Sequence, residues 1–174
     1  MGQVLQGHFR KGEAEFVGFL PLLPDESGKE QTIQVKLKQP AHIYDVTEGK
    51  YLGRKKKFQF QLPSVDGKLF AFLPYLVKGL KVKPEERPVP GKEWAITLRL
   101  ETQGNGSSPH PLTFKLFDAR GKFREAYFQR LYIEPNKEVT VQVPLALNDT
   151  GAGWRIEVRD AISGKSGYYI FNLK

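Results

Sequence analysis

Cysteine is absent from this 174-residue chain. That removes disulfides, thiolate metal ligands and a cysteine nucleophile together. Histidine is scarce, at His8, His42 and His110 only. No H-x-H or H-x₃-H spacing links them, so the sequence carries no zinc signature. No G-x-S-x-G occurs either, and a Ser/His/Asp triad is not expected. Nothing approaches the ~20 consecutive apolar residues of a membrane-spanning helix. The opening MGQVLQGHFRKGEAEF has no continuous apolar core and does not read as a signal peptide.

What is present suits a folded domain. Hydrophobic residues make up 40% of the chain and aromatic residues 12%, enough for a true core. A chain of this length forms one large or two small domains and buries about 70% of its unfolded surface. The net charge of +8 raises the question of nucleic acid. Residues 1–77 hold 11 Lys+Arg and 8 Asp+Glu (+3), and residues 78–174 hold 16 and 11 (+5), so the excess is shared between the halves. Only Arg54-Lys55-Lys56-Lys57 forms a run, with no aromatic-rich RNA-binding signature around it. It reads as a solvated basic turn, and no nucleic-acid partner is expected.

Almost every segment alternates with period two, the mark of a half-buried strand. In 31-QTIQVKLK-38, Ile33, Val35 and Leu37 share one face. In 56-KKFQFQL-62, Phe58, Phe60 and Leu62 do the same. The segment 69–77 is a mostly apolar strand, buried on both faces or broken at Pro74, and 21-PLLPDESGKEQ-31 is a loop. The phrase 41-AHIYDVTEGKYLG-53 reads as a hairpin: Gly49 suits a left-handed turn position, and Asp45 or Thr47 can bond the turn backbone.

The stretch 78–94 holds three prolines and two glycines, which predicts a linker, then an irregular edge strand, and a domain boundary near Lys78. Beyond it, strands are expected at 80–83, 93–102, 112–118, 125–133, 138–144, 153–160 and 167–173. The expected architecture is therefore all-β: a β-sheet unit over 1–77 and an immunoglobulin-like Greek-key sandwich, without a disulfide, over 78–174. Trp94 shares parity with Ile96, Leu98 and Leu100, and Trp154 with Ile156 and Val158, so both rings should point inward. No helix longer than one turn is expected.

Two phrases, 41–53 with its continuation 69-LFAFLPY-75, and 146-ALNDTGAGWRIEVRDAISGKSGYYIFNL-173, carry a resemblance. They resemble the C-terminal all-β region of large bacterial multidomain proteins related to glycoside hydrolases of β-galactosidase-like type. The resemblance implies a non-catalytic accessory module, possibly the end of a larger β-sandwich domain at 1–77, partnered by the catalytic domain of a parent protein or by a polysaccharide. It favours a periplasmic or extracellular location. The matching phrases are structural, so no catalytic residue, metal or cofactor is carried over. A carbohydrate-binding module and a cell-surface adhesion or assembly domain are the alternatives.

Glycoside hydrolysis needs two opposed carboxylates in a sugar-sized cleft, whereas most acidic residues here sit in turns (Asp118, Asp149, Asp160) or on exposed strand faces (Glu101, Glu157). The three turn aspartates could offer oxygens to calcium, but each begins an Asx-to-Gly turn, and turn-capping is the better reading. The segment 104-GNGSSP-109 precedes no helix and is a loop. For sugar stacking the candidates are Trp94, Trp154, Tyr127, Tyr132, Tyr168 and Tyr169, of which Tyr132, Tyr168 and Tyr169 are kept as site residues; Tyr168 and Tyr169 are adjacent, so one faces away from the other.

Overall fold

The structure is a computed structural model that describes residues 3–22 and 30–174. Of the expected loop 21–31, residues 23–29 lie outside the described residues. The described chain is nearly all β, with antiparallel pairing throughout, and divides into two compact units. Unit 1 comprises Met1–Leu76 with Gly104–Ser108, and unit 2 comprises Val77–Gln103 with Pro109–Lys174.

Unit 1 is built on β1 (Val4–Lys11), β2 (Ala14–Pro21), β3 (Gln31–Asp45), β4 (Lys50–Leu62) and β5 (Lys68–Leu73), in the sheet order β1-β2-β5-β3-β4. The expected strands 31–38 and 41–46 are one 15-residue strand, β3. The interruption survives as a register shift: from Lys36 to Ala41, five residue steps on β3 answer two on β4, Lys57 to Lys55. Pro40, which lacks an N–H for the ladder, sits in that irregular stretch.

One face of the far half of this ribbon packs on the rest of the sheet. Ile33, Val35, Phe58 and Phe60 lie against a buried cluster of Val17, Phe19, Ile43, Leu62, Phe70 and Phe72. The contact is aromatic: the Phe60 and Phe70 rings are 4.6 Å apart, Phe58 and Phe70 5.1 Å, and Phe19 and Phe60 5.1 Å. Such tilted and edge-on pairs gain beyond their buried area. The loop Gly104–Ser108 belongs to this unit because Ser108 Oγ accepts the backbone N–H groups of Glu13 and Ala14 at 2.9 and 2.8 Å.

Pro74 separates β5 from β6 (Leu76–Pro84), a sheet-edge strand that contains the expected strand 80–83 and begins ahead of the expected boundary near Lys78, so no linker precedes it. Unit 2 continues with β7 (Glu93–Gln103), β8 (His110–Phe117), β9 (Gln129–Ile133), β10 (Glu138–Pro144), β11 (Gly151–Asp160) and β12 (Ser166–Leu173). Its sheets have the orders β10-β7-β6 and β12-β11-β8-β9. Neighbours that are not consecutive in sequence, such as β7 with β10 and β8 with β11, make this a Greek-key arrangement of seven strands.

Where strand 125–133 was expected, Glu125–Tyr127 form a 3₁₀ turn and β9 starts at Gln129. The cause lies in Tyr127, whose hydroxyl is held by distant residues rather than by a strand partner. Both tryptophans point inward and are 2% exposed. Each indole N–H is satisfied by a carbonyl, Trp94 by Glu86 at 2.8 Å and Trp154 by Thr150 at 3.0 Å. Trp94 meets Phe171 of the other sheet at 4.6 Å between rings.

Candidate functional site

The tip of the β3–β4 hairpin brings Asp45, Glu48 and Lys68 together. Gly49 takes φ +64 and turns the chain. Asp45 Oδ1 accepts the Glu48 N–H at 3.0 Å, and Thr47 Oγ1 accepts the Leu69 N–H at 3.0 Å, tying the tip to β5. The Lys68 ammonium lies 2.6 Å from Glu48 and 3.5 Å from Asp45. Its hydrogen bond to Glu48, with the Asp45 charge behind it, raises the Lys68 pKa, and the same bond together with the Lys68 charge holds the Glu48 carboxyl below its usual range. A general acid for glycoside cleavage needs the opposite shift. His42, whose Nδ1 lies 2.8 Å from the Tyr51 hydroxyl, has its pKa lowered by burial and then by the Arg54 charge. These polar groups fasten the turn, and the apolar members of the phrase, Ile43 and Tyr44, are fully buried.

In unit 2 the three turn aspartates each have local partners. Asp118 Oδ1 accepts the N–H groups of Arg120 and Lys122 at 2.9 and 3.0 Å, which, with the nearby Arg124, lowers its pKa. Asp149 accepts the Tyr127 hydroxyl, the Ala146 N–H at 3.0 Å and Arg124 at 3.5 Å. Burial, then the Asp149 hydrogen bond, pushes the Tyr127 phenol up. Asp160 takes the N–H groups of Ile162 and Ser163 at 3.2 and 3.1 Å, the Ser163 hydroxyl, and His110 Nδ1 at 3.0 Å. Among the described residues no group of three or more acidic or histidine side chains is placed to hold a metal.

His110 stands two residues ahead of the expected strand 112–118, yet it opens β8, fully buried, and alternates with Leu112, Phe114 and Leu116. That shared parity was the available signal. His110, Asp160 and Ser163 are the three residue types of a nucleophilic triad, yet the aspartate stands between the other two and all three are buried. The serine is bonded to the carboxylate rather than presented to the imidazole, so the set is a structural clasp.

The tyrosines singled out for sugar contact lie apart. Tyr168 and Tyr132 are 57% and 68% exposed. The register from Tyr168 through Glu157 to Lys115, and from Tyr132 to Pro111, sets them on one outward sheet face. Two strands stand between them, a lateral span of about 14 Å at the usual strand spacing. Tyr169 faces the other way, toward Trp94 at 6.2 Å and Phe171 at 6.4 Å. Its parity with Phe171 and Leu173 could have indicated this.

Two surfaces of unit 1 were not anticipated. On one face of the β1–β2 hairpin, a groove of about 680 Å³ is lined by His8, Arg10, Glu15, Lys36 and Lys38 over Val17, Val35 and Phe72. Arg10 and Glu15 form an ion pair there. The opposite face of the hairpin is apolar. Leu5 pairs with Leu20, Gly7 with Gly18 and Phe9 with Phe16, and Leu22 extends the row. Leu5, Phe9, Leu20 and Leu22 are each about half exposed, and nothing lies over Gly7 or Gly18.

The basic run is also placed differently from the expectation. Arg54–Lys57 belong to β4 rather than to a turn, and all four are exposed. Lys57 stands directly opposite Lys36.

No protein-family profile matches this sequence, and no curated protein is similar to it. Among solved structures, the chain is similar to a provisionally assigned β-galactosidase from Bacteroides fragilis, at 14% identity and TM-score 0.37, over 97% of this chain and 33% of that one. It is similar to a glycosyl hydrolase family 2 member from Bacteroides cellulosilyticus at 9% identity and TM-score 0.37, over 94% and 28%. A β-glucuronidase of glycoside hydrolase family 2 is similar at 14% identity and TM-score 0.29, over 92% and 24%. The chain thus spans a third or less of the length of these proteins.

Proposed function

We propose that this chain is a non-catalytic accessory and interaction module of a larger bacterial carbohydrate-active protein, its second unit an immunoglobulin-like sandwich. The observation that carries the interaction role is the apolar row on the β1–β2 hairpin. Four half-exposed large side chains share one sheet face, with a bare-backbone notch at Gly7 and Gly18 between the Leu5/Leu20 and Phe9/Phe16 pairs. Contiguous apolar surface of this kind marks a contact site, and the notch gives it a shape a protruding side chain can fill. The partner in this reading is the catalytic domain of the parent protein. The phrases that resemble the glycosidase tail regions support the same role, because their residues serve the core and the turns.

The test uses the complete reading frame from which the chain comes. The full product should hydrolyse a glycoside through carboxylates outside residues 1–174, while the isolated chain shows no turnover. Phe9→Lys or Leu20→Lys should weaken association of the isolated chain with the remainder of that product. Turnover by the isolated chain, lost on substitution of one of its own carboxylates, would overturn the reading. A second reading, direct sugar contact, is favoured by the exposure of Tyr132 and Tyr168. Glycan-array binding lost in Tyr168→Ala or Tyr132→Ala would support it.

A further inference from the structure

We propose that the outward face of the β3–β4 ribbon, from Gln34 and Gln59 through Lys36 and Lys57 to Lys55, flanked by the exposed Arg54 and Lys56, docks an acidic polysaccharide. The choice of a saccharide rests on the function proposed above, and the charge argument stands without it. Residues 31–62 hold seven Lys+Arg and two Asp+Glu, a net +5 of the chain's +8. Dividing the chain into halves hides this, because residues 1–30 carry three bases and five acids. Both carboxylates of the ribbon region, Asp45 and Glu48, are at the tip on Lys68. Lys50 stands opposite Asp45, while Lys36, Lys38 and Arg54–Lys57 have no carboxylate beside them in either strand.

Ion pairs engage Arg10, Lys68, Lys81, Arg99, Arg124 and Arg155; among the described residues none involves Lys36, Lys38 or Arg54–Lys57, and what sets these apart from other unpaired surface cations is the local charge excess and the Lys36–Lys57 rung. Two lysines directly opposite across a ladder repel each other. A fold gains nothing from that arrangement, whereas a polyanion gains a row of partners and releases its counterions on binding.

The neighbouring rungs define the partner further. Thr32 bonds Gln61 at 3.1 Å, and Gln34 stands opposite Gln59, so a hydroxyl and three amides continue the row away from the lysines. A shallow hollow of about 490 Å³ is lined by Gln34, Val35, Lys36, Lys57, Phe58 and Gln59, and Lys36 also lines the groove beside His8 and Arg10. Amide rungs recognise hydroxyls, and ammonium groups recognise carboxylate or sulfate. Rungs on one face recur every ~6.6 Å, which suits a chain whose charges are separated by neutral, hydroxyl-bearing units.

Nucleic acid fits this face less well. Phe58 and Phe60 pack against the core cluster and so offer no free ring platform of the kind on which bases stack. The cations lie at one end of the ribbon rather than on both sides of the amides, so a ribbon seated in a major groove would meet phosphates on one flank only.

The test measures binding of the full chain at about 0.15 M salt to polygalacturonate, dextran sulfate, neutral dextran, poly(dT) and a DNA duplex. Binding to one or both acidic polysaccharides but not to dextran is expected. The two acidic polymers separate carboxylate from sulfate recognition. Lys36→Gln/Lys57→Gln should weaken that binding roughly tenfold and flatten its dependence on log salt by between one and two, with circular dichroism and melting temperature retained. Gln34→Ala/Gln59→Ala should lower affinity for the polysaccharide while leaving the salt slope unchanged. Failure to bind either acidic polymer, equal binding by the lysine double variant, or tighter binding to either DNA overturns the proposal. Lysine-dependent polysaccharide binding by a chain whose full gene product has no glycosidase activity would leave the docking strip standing and remove the parent-enzyme reading.

Discussion

Unit 1 and unit 2 bury sheet faces with different residues and use charge differently. Unit 1 folds one bent ribbon over its own sheet and fills the space with phenylalanine: Phe19, Phe58, Phe60, Phe70 and Phe72. Unit 2 sets three strands against four and fills its interior mainly with aliphatic side chains, with Phe114, Phe171, Tyr127 and two tryptophans, each with its indole N–H satisfied. In unit 2 the turn aspartates bond backbone N–H groups, Arg124, Tyr127 or His110. In unit 1 the β3–β4 ribbon sets Lys36 opposite Lys57, and among the described residues neither has an ion pair. The turn aspartates of unit 2 are part of its fold. The like-charged rung of unit 1 is surplus to the fold, and a surface for a partner is to be sought there.

The largest expected effects test whether the two cores are equally well packed. Trp154→Ala in unit 2 and Phe70→Ala in unit 1 should each cost about 3–5 kcal/mol, since both side chains are buried and large-to-small changes leave a cavity. Urea midpoints read by far-UV circular dichroism check this. A small loss in Phe70→Ala alone would mean that the aromatic cluster of unit 1 is loosely packed. Both tryptophans lie in unit 2, so their emission should be blue-shifted and poorly quenched by acrylamide in the wild type.

Gly167→Ala is next. A Cβ there would lie 2.4 Å from the Leu80 carbonyl oxygen, a backbone atom that cannot rotate aside. We expect a loss of about 1–3 kcal/mol, seen in the thermal midpoint.

Removing charge should have opposite signs in the two units. Asp149→Ala deprives the buried Tyr127 hydroxyl and the Ala146 N–H of their acceptor and should cost about 1–3 kcal/mol. Lys57→Gln relieves repulsion with Lys36 and should leave stability unchanged or raise it by up to about 0.5 kcal/mol. A clear loss in Lys57→Gln would show that the ribbon cations do serve the fold, and would erase the contrast.

The smallest effect is with pH. Asp118 has a folded-state pKa below its unfolded value of about 3.9. Its contribution is therefore present above that value and lost as pH falls through the folded pKa. Between pH 5 and 3, on the order of that range, stability should fall less steeply in Asp118→Asn than in the wild type, measured as urea midpoint against pH.

Much of this was legible along the chain. Period-two alternation located most strands and turned Trp94 and Trp154 inward, because strand parity is a property of the local backbone. Asx and glycine marked the turns at Asp118 and Asp160 for an equally local reason. The same rule, applied to 169, 171 and 173, would have turned Tyr169 inward, and applied to 110, 112, 114 and 116 it would have buried His110. Parity assigns a residue to a face. It does not say which strand lies alongside, and that was left to the tertiary structure. Only the pairing of β3 with β4 brought Lys36 opposite Lys57 and gathered a charge that the halves of the sequence seemed to share. Only Ser108 Oγ, reaching the N–H groups of Glu13 and Ala14 some 95 residues earlier, assigned Gly104–Ser108 to unit 1. Register and long-range hydrogen bonds join residues far apart in the chain, and no short stretch of sequence contains both partners.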